Sequence, residues 1–192
     1  MDESLYRTFK YVAIALTVVL VGWSLVDTLF IQKVPGSLAC REGDNYFEDG
    51  HYREALAKYD EALAARPDSP AYVRAKARTL MQMGRDEAAL RWFDKAAALQ
   101  PLFGGTYANR GILYDRMGRY REAVADYKKA LKLDSSVGDG PGWLVRFLRN
   151  EPKAPPTVAD RLAYLEEELA KPEARRVMRV PEVDAKQRPY QQ

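Results

Sequence analysis

Read for apolar and polar positions alone, the chain opens with an apolar run from Tyr11 to Ile31 (YVAIALTVVLVGWSLVDTLFI) that carries one charge, Asp27. About 20 such residues cross the ~30 Å hydrocarbon of a bilayer as a helix. Residues 11–31 are therefore expected to form a transmembrane helix, after a tail of residues 1–10 and before a linker at 32–36. A cleaved signal peptide has a shorter apolar stretch and then a small-residue cleavage site, whereas this run ends in Leu29, Phe30 and Ile31. A lipoprotein signal at Leu38-Ala39-Cys40 fits poorly, with Ser37 where an aliphatic residue is usual and the cysteine well beyond the run. At helical spacing Ala13, Thr17, Ser24, Asp27 and Thr28 share one stripe. It suits packing against another helix, with Thr17, Ser24 and Asp27 as its polar members. An immersed carboxylate costs about 2.5–3.5 kcal/mol, so Asp27 either has a partner or reaches headgroup water from a turn inside the helix end.

Beyond the linker the apolar pattern changes to one that repeats every 34 residues. Gly50, Gly84 and Gly118 fall in register, as do Ala55, Ala89 and Ala123; Tyr59, Phe93 and Tyr127; Ala62, Ala96 and Ala130; and Pro67, Pro101 and Ser135. The spacing within each unit is that of two amphipathic helices. The glycine column sits at the turn where the first helix must stop, the alanines where backbones approach, and the aromatics beside them. The proline column closes the second helix by removing an amide donor. No such unit buries its apolar face alone, so neighbours must stack.

A 34-residue period with these columns resembles the tetratricopeptide repeat (TPR). The resemblance covers about half the chain and implies an all-α, helix-turn-helix solenoid of three repeats at 36–69, 70–103 and 104–137. Gly43 and Gly111, and Tyr46, Leu80 and Tyr114, also match its first-helix pattern. Glu42, Lys76 and Arg110 occupy a column that is usually leucine, and Ala77 replaces a glycine; weaker local packing is expected there. The family's geometry implies a groove lined by first helices, with Phe47, Met81 and Ile112 as apolar spots, Arg74 and Arg78 as a basic middle, and Asp44, Asn109, Asp115 and Arg116 around them. That lining suits a protein partner presenting an extended or helical segment with acidic character. The chaperone-tail clamp of some family members wants lysine and asparagine where this chain has Cys40 and Asp44, and lysine and arginine where it has Gly105 and Asn109, so that recruitment is not expected.

After the repeats, Trp143, Leu144, Phe147 and Leu148 stand at helical spacing and suggest a capping helix over 138–151. Pro152 to Pro156 break the chain, and Thr157 with Asp160 reads as the amino-terminal cap of a further amphipathic helix over 157–179. Val158, Leu162, Leu165 and Leu169 form its apolar stripe, Arg161, Glu166, Glu167 and Glu168 its polar faces, and Pro172 ends or kinks it. Residues 180–192 read as an extended or disordered tail whose Glu182 and Asp184 are a rival, in cis, for Arg74 and Arg78.

Composition narrows the function classes. Thirty basic and 27 acidic residues leave a net charge of +3 without basic clustering, which argues against nucleic acid. One cysteine and one histidine exclude a disulfide framework, and no metal or cofactor is expected. His51 reads as an exposed turn residue and Cys40 as a small packing residue. No phosphate loop, nucleophile elbow or catalytic carboxylate pair is present, so the chain is not expected to be an enzyme. Arg7 and Lys10 balance Lys33 and Arg41 across the apolar run. The short amino-terminal side, with its free amine, tips the expectation towards export of the repeats, and the expected location is a bacterial inner membrane with the repeats facing the periplasm. The expected function is that of a single-pass adaptor or scaffold in assembly or maintenance of a membrane-associated complex. The alternative is a permanent structural subunit with no exchangeable groove ligand.

Overall fold

The computed structural model describes residues 3–26, 34–140 and 156–179. They form eight α-helices and no strand: α1 (Glu3–Val26), α2 (Ser37–Glu48), α3 (Tyr52–Ala65), α4 (Pro70–Gln82), α5 (Asp86–Leu99), α6 (Gly104–Arg116), α7 (Tyr120–Leu133) and α8 (Val158–Ala170). Two short 3-10 turns, Ser135–Gly138 and Glu173–Arg175, follow α7 and α8. The chain divides into two compact units, Met1–Pro67 and Asp68–Gln192.

In the first unit, α1 begins at Glu3, ahead of the apolar run, so most of the expected tail is helical. Its segment Arg7–Val26 has 20 residues with a mean hydropathy of 2.0 and none of it buried, which is long and apolar enough to cross a membrane. The Thr17 hydroxyl donates to the Ala13 carbonyl at 2.9 Å, so this stripe residue is satisfied within its own helix. Ser24 is described in α1, whereas Asp27 and Thr28 lie outside the described residues.

Helices α2 and α3 form a hairpin, as do α4 with α5 and α6 with α7 in the second unit. All three turns are built alike. Gly50, Gly84 and Gly118 have φ of 77°, 68° and 76°, in the left-handed region that a side chain disfavours. The amide after each glycine returns to the first helix, as His51 does to the Tyr46 carbonyl at 2.8 Å, while the glycine amide bonds the next carbonyl along. This pair of bonds caps carbonyls that would otherwise end the helix unsatisfied. The aromatic column Tyr59, Phe93 and Tyr127 and both alanine columns are fully buried. A Cβ at Gly43 or Gly111 would lie 2.8 or 2.7 Å from the Tyr59 or Tyr127 ring, which is why the first helix carries glycine there.

The column expected to pack poorly is satisfied by the residue sixteen positions on, across the hairpin. Lys58 reaches Glu42 at 2.6 Å, Lys76 stacks 4.1 Å over the Trp92 ring, and Arg110 holds Asp126 with a two-pronged fork at 2.6 and 2.8 Å. Arg110 also reaches Asp94 of α5 at 2.6 Å, tying three helices together. The carboxylates beside it hold its guanidinium well above the usual range.

Within the second unit α5 packs on α6, and α8 packs on α7 as the next first helix would. The expected cap at Trp143, Leu144, Phe147 and Leu148 lies outside the described residues; the described element that covers α7 is α8. Thr157 starts α8 with a reciprocal cap, its hydroxyl accepting from the Asp160 amide at 3.1 Å and Asp160 accepting from the Thr157 amide at 3.0 Å. The helix ends at Ala170 rather than running to 179, because Pro172 cannot extend it and Arg176 donates to the Leu169 and Lys171 carbonyls. Its buried face is Val158, Arg161, Leu165 and Glu168, so Arg161 and Glu168 lie on the core side, contrary to the polar faces assigned from sequence.

Candidate protein-binding surface

Arg74 and Arg78 stand one turn apart on α4, both half-buried. Arg74 reaches towards the α5–α6 connection, where its Nη1 donates to Gln100 Oε1 at 2.7 Å and its guanidinium lies 3.9 Å above the Phe103 ring. Phe103 immediately precedes α6, where a Cβ at Gly104 would lie only 3.0 Å from the Ala130 carbonyl oxygen and Asp134 Cβ of the third hairpin. Both contacts of Arg74 are neutral groups. Burial, and then the neighbouring Arg78 charge, draw its guanidinium below the usual arginine range. It remains charged at any physiological pH, and this arrangement suits an anion: a flat, stacked cation on which the Arg78 charge acts with the same sign.

The other residues expected to line the groove are placed differently. Met81, Asn109 and Ile112 are 2%, 3% and 1% exposed. As they stand they are interior packing residues: Asn109 and Ile112 belong to α6, which packs against both α5 and α7, and Met81 to α4, which packs against α5. Phe47, in the first unit, is likewise buried and meets Tyr52 edge-on with ring centroids 5.4 Å apart. Arg116 is half-buried at the end of α6, and its carbonyl accepts from Arg179 Nη2 at 2.6 Å. Of the seven groove residues expected, Arg74 and Arg78 come together, Arg116 sits apart at the far end of α6, and four are buried. Gln100 and Phe103 were missed. Their only sequence signal is that they flank Pro101, the column that turns the chain towards the next first helix.

Asp115, also expected in the groove, is 4% exposed and fully committed. Arg161 of α8 grips it with Nε to Oδ2 at 2.6 Å and Nη2 to Oδ1 at 2.8 Å, and the Tyr127 hydroxyl lies 3.4 Å from the same Oδ2. In the first unit Asp44 accepts from the Tyr59 hydroxyl at 2.6 Å, and the Cys40 thiol lies 3.9 Å from its other oxygen. Cys40 and Asp44 stand where the chaperone-tail clamp of some family members wants lysine and asparagine. His51 is exposed at the α2–α3 turn, its ring centroid 6.3 Å from that of Tyr46.

Sequence models of the tetratricopeptide repeat match residues 40–102 and 106–137. The chain is 32% identical over 95 residues to the small glutamine-rich tetratricopeptide repeat-containing protein 2 of Mycosarcoma maydis, a match covering 50% of this chain and 27% of that one. It is 31% identical over 113 residues to a DnaJ homolog subfamily C member 7 homolog of Schizosaccharomyces pombe, covering 57% of this chain and 24% of the other. The chain thus spans about a quarter of the length of these curated relatives. Among solved structures, the first TPR of Spaghetti (RPAP3) bound to the HSP90 peptide SRMEEVD superposes with a TM-score of 0.57 at 21% identity, over 73% of this chain and 96% of that one. That likeness is one of fold.

Proposed function

From the premise that the chain belongs to the tetratricopeptide-repeat family, we propose that it is a non-catalytic, membrane-anchored adaptor that holds an acidic segment of a protein partner on α4. The observation that carries this reading is Arg74: a half-buried guanidinium stacked on Phe103, bonded to a neutral amide oxygen and set one turn from a second arginine. A carboxylate of the partner takes the two-pronged contact that Arg110 and Arg161 make within the chain. The partner's acid is read on α4, in the second repeat, because Cys40, Gly105 and Asn109 leave the chaperone-clamp positions without cations. Helix α1 supplies the anchor, and anchoring raises the effective concentration of the groove beside other membrane proteins. The partner is a component of a membrane-associated complex, and the repeats face the periplasm of a bacterial inner membrane.

The test is affinity capture from detergent-solubilised membranes with the full chain and with an Arg74→Glu, Arg78→Glu variant. Loss of the captured partner by the variant, with an unchanged helical melt, supports the reading. Full recovery in moderate salt overturns it, and recovery that is stoichiometric through high salt favours a permanent structural subunit instead. Protease protection in intact cells decides the side of the membrane: digestion of the repeats only after the inner membrane is opened would place them in the cytoplasm.

A further inference from the structure

After α8 the chain turns at Pro172 and runs back along the helix in extended form, and what holds it there is a row of α8 side chains reading its main chain. The Val177 amide donates to Glu168 Oε2 at 2.8 Å, the Tyr164 hydroxyl donates to the Val177 carbonyl, and Arg161 Nη2 donates to the Met178 carbonyl at 3.0 Å. Glu168, Tyr164 and Arg161 follow one another up one face of α8 at helical spacing. The row continues onto α6, where Arg179 meets the Arg116 carbonyl. The side chain of Val177 is 57% exposed, so what is held is the backbone and two arginines, Arg176 on the Leu169 and Lys171 carbonyls and Arg179 on the Arg116 carbonyl, rather than a full sequence. A segment that packed as part of the core would bury apolar side chains; this one is bound much as an extended peptide is bound by a receptor.

We propose that Glu168, Tyr164 and Arg161, with the carboxyl end of α6, form a second peptide-binding surface, separate from Arg74 and Arg78, that takes an extended segment bearing an arginine. Residues 176–179 are its occupant in cis. The track is preorganised: Arg161 is locked by Asp115, and Glu168 by Lys171 at 2.6 Å. Only the strap needs to leave for a partner's segment to enter. A tethered occupant competes at an effective concentration on the order of millimolar, so the intact chain binds such a segment weakly and a chain with its strap detached binds it well.

The probe is an acetylated, amidated and fluorescently labelled peptide with the sequence of residues 173–179 (EARRVMR), followed by anisotropy against the full chain in detergent micelles. Two detached forms are compared with the intact protein: a chain ending at Arg175, and a full-length Val177→Pro, Arg179→Ala variant that lacks the donor to Glu168 and the reach to Arg116. Both are expected to bind the peptide at least tenfold more tightly than the intact chain. Tyr164→Phe in the detached background is expected to weaken binding severalfold, and the reversed sequence, of equal charge, is expected not to bind. The proposal is overturned if neither detached form gains affinity, or if the reversed peptide binds equally. Should the truncation loosen α8, seen as a lowered helical melt, the full-length variant decides alone. Arg74→Glu, Arg78→Glu in the detached background is expected to leave this binding unchanged; its loss there would mean that the two surfaces are one.

Discussion

Arginines occupy two regions of the second unit in opposite ways. In the third hairpin and α8, Arg110 and Arg161 each face a buried carboxylate with a two-pronged fork, and the partner acids Asp126 and Asp115 are 6% and 4% exposed. On α4, Arg74 is stacked on a ring and bonded to an amide, and the charge of Arg78 works against its own. The first arrangement stabilises the fold through charge pairs that water no longer screens. The second leaves a partly desolvated cation between a ring and an amide, which we propose an outside carboxylate completes. On that proposal the same residue type is structural in one place and receptive in the other, according to whether the chain supplies the acid.

The largest effect that would break this contrast is at Arg161. Arg161→Leu strands Asp115 in the interior and is expected to cost about 3–5 kcal/mol, read from the denaturant midpoint of the full chain. Adding Asp115→Leu should restore most of that loss, because the buried charge goes with its partner. A single mutant as stable as the parent would mean that the pair is not desolvated as described.

A smaller cost is expected at Arg110. Arg110→Leu leaves Asp126 without its main donor, for a loss of about 1–3 kcal/mol. The tie to Asp94, half in water, contributes little of this. Equal losses for Arg110→Leu and Arg74→Leu would erase the distinction between the two regions.

Arg78→Glu should change stability least. The repulsion it removes from Arg74 is that of like charges four residues apart on a helix, a few tenths of a kcal/mol, so the substitution is expected to shift stability by no more than about 1 kcal/mol while abolishing capture of an acidic partner. Thermal melts paired with capture assays check both halves. Capture retained at full strength would show that the pair is no site.

The subtlest effect concerns the strap. Lys171, and then the Val177 amide, hold the Glu168 carboxyl below the usual carboxylate range. Its contribution is therefore complete above the unfolded value of about 4.3 and is lost as the pH falls through the lower folded value. The Val177 amide resonance should hold its position from neutral pH to about 5 and move only below about 4. Movement near neutral pH would show that Glu168 does not hold the strap.

What the chain determined without its tertiary structure is what repeats and what is local. The glycine turns, the buried alanine and aromatic columns, the apolar span and the Thr157 cap each depend on neighbours a few residues away or on a pattern stated three times over. The hairpin pairing of Glu42, Lys76 and Arg110 with residues sixteen positions on was legible in principle, since the same offset recurs in every repeat. The site was less so. Met81, Asn109 and Ile112 look like groove residues until neighbouring helices cover them, and Arg161 looks like a surface residue until Asp115, 46 positions earlier, meets it. Arg179 finds Arg116 across 63 positions. Residue type and spacing decide where a helix runs and which face is apolar. Only packing decides which charges lose their water and which of them meet an acid of the same chain.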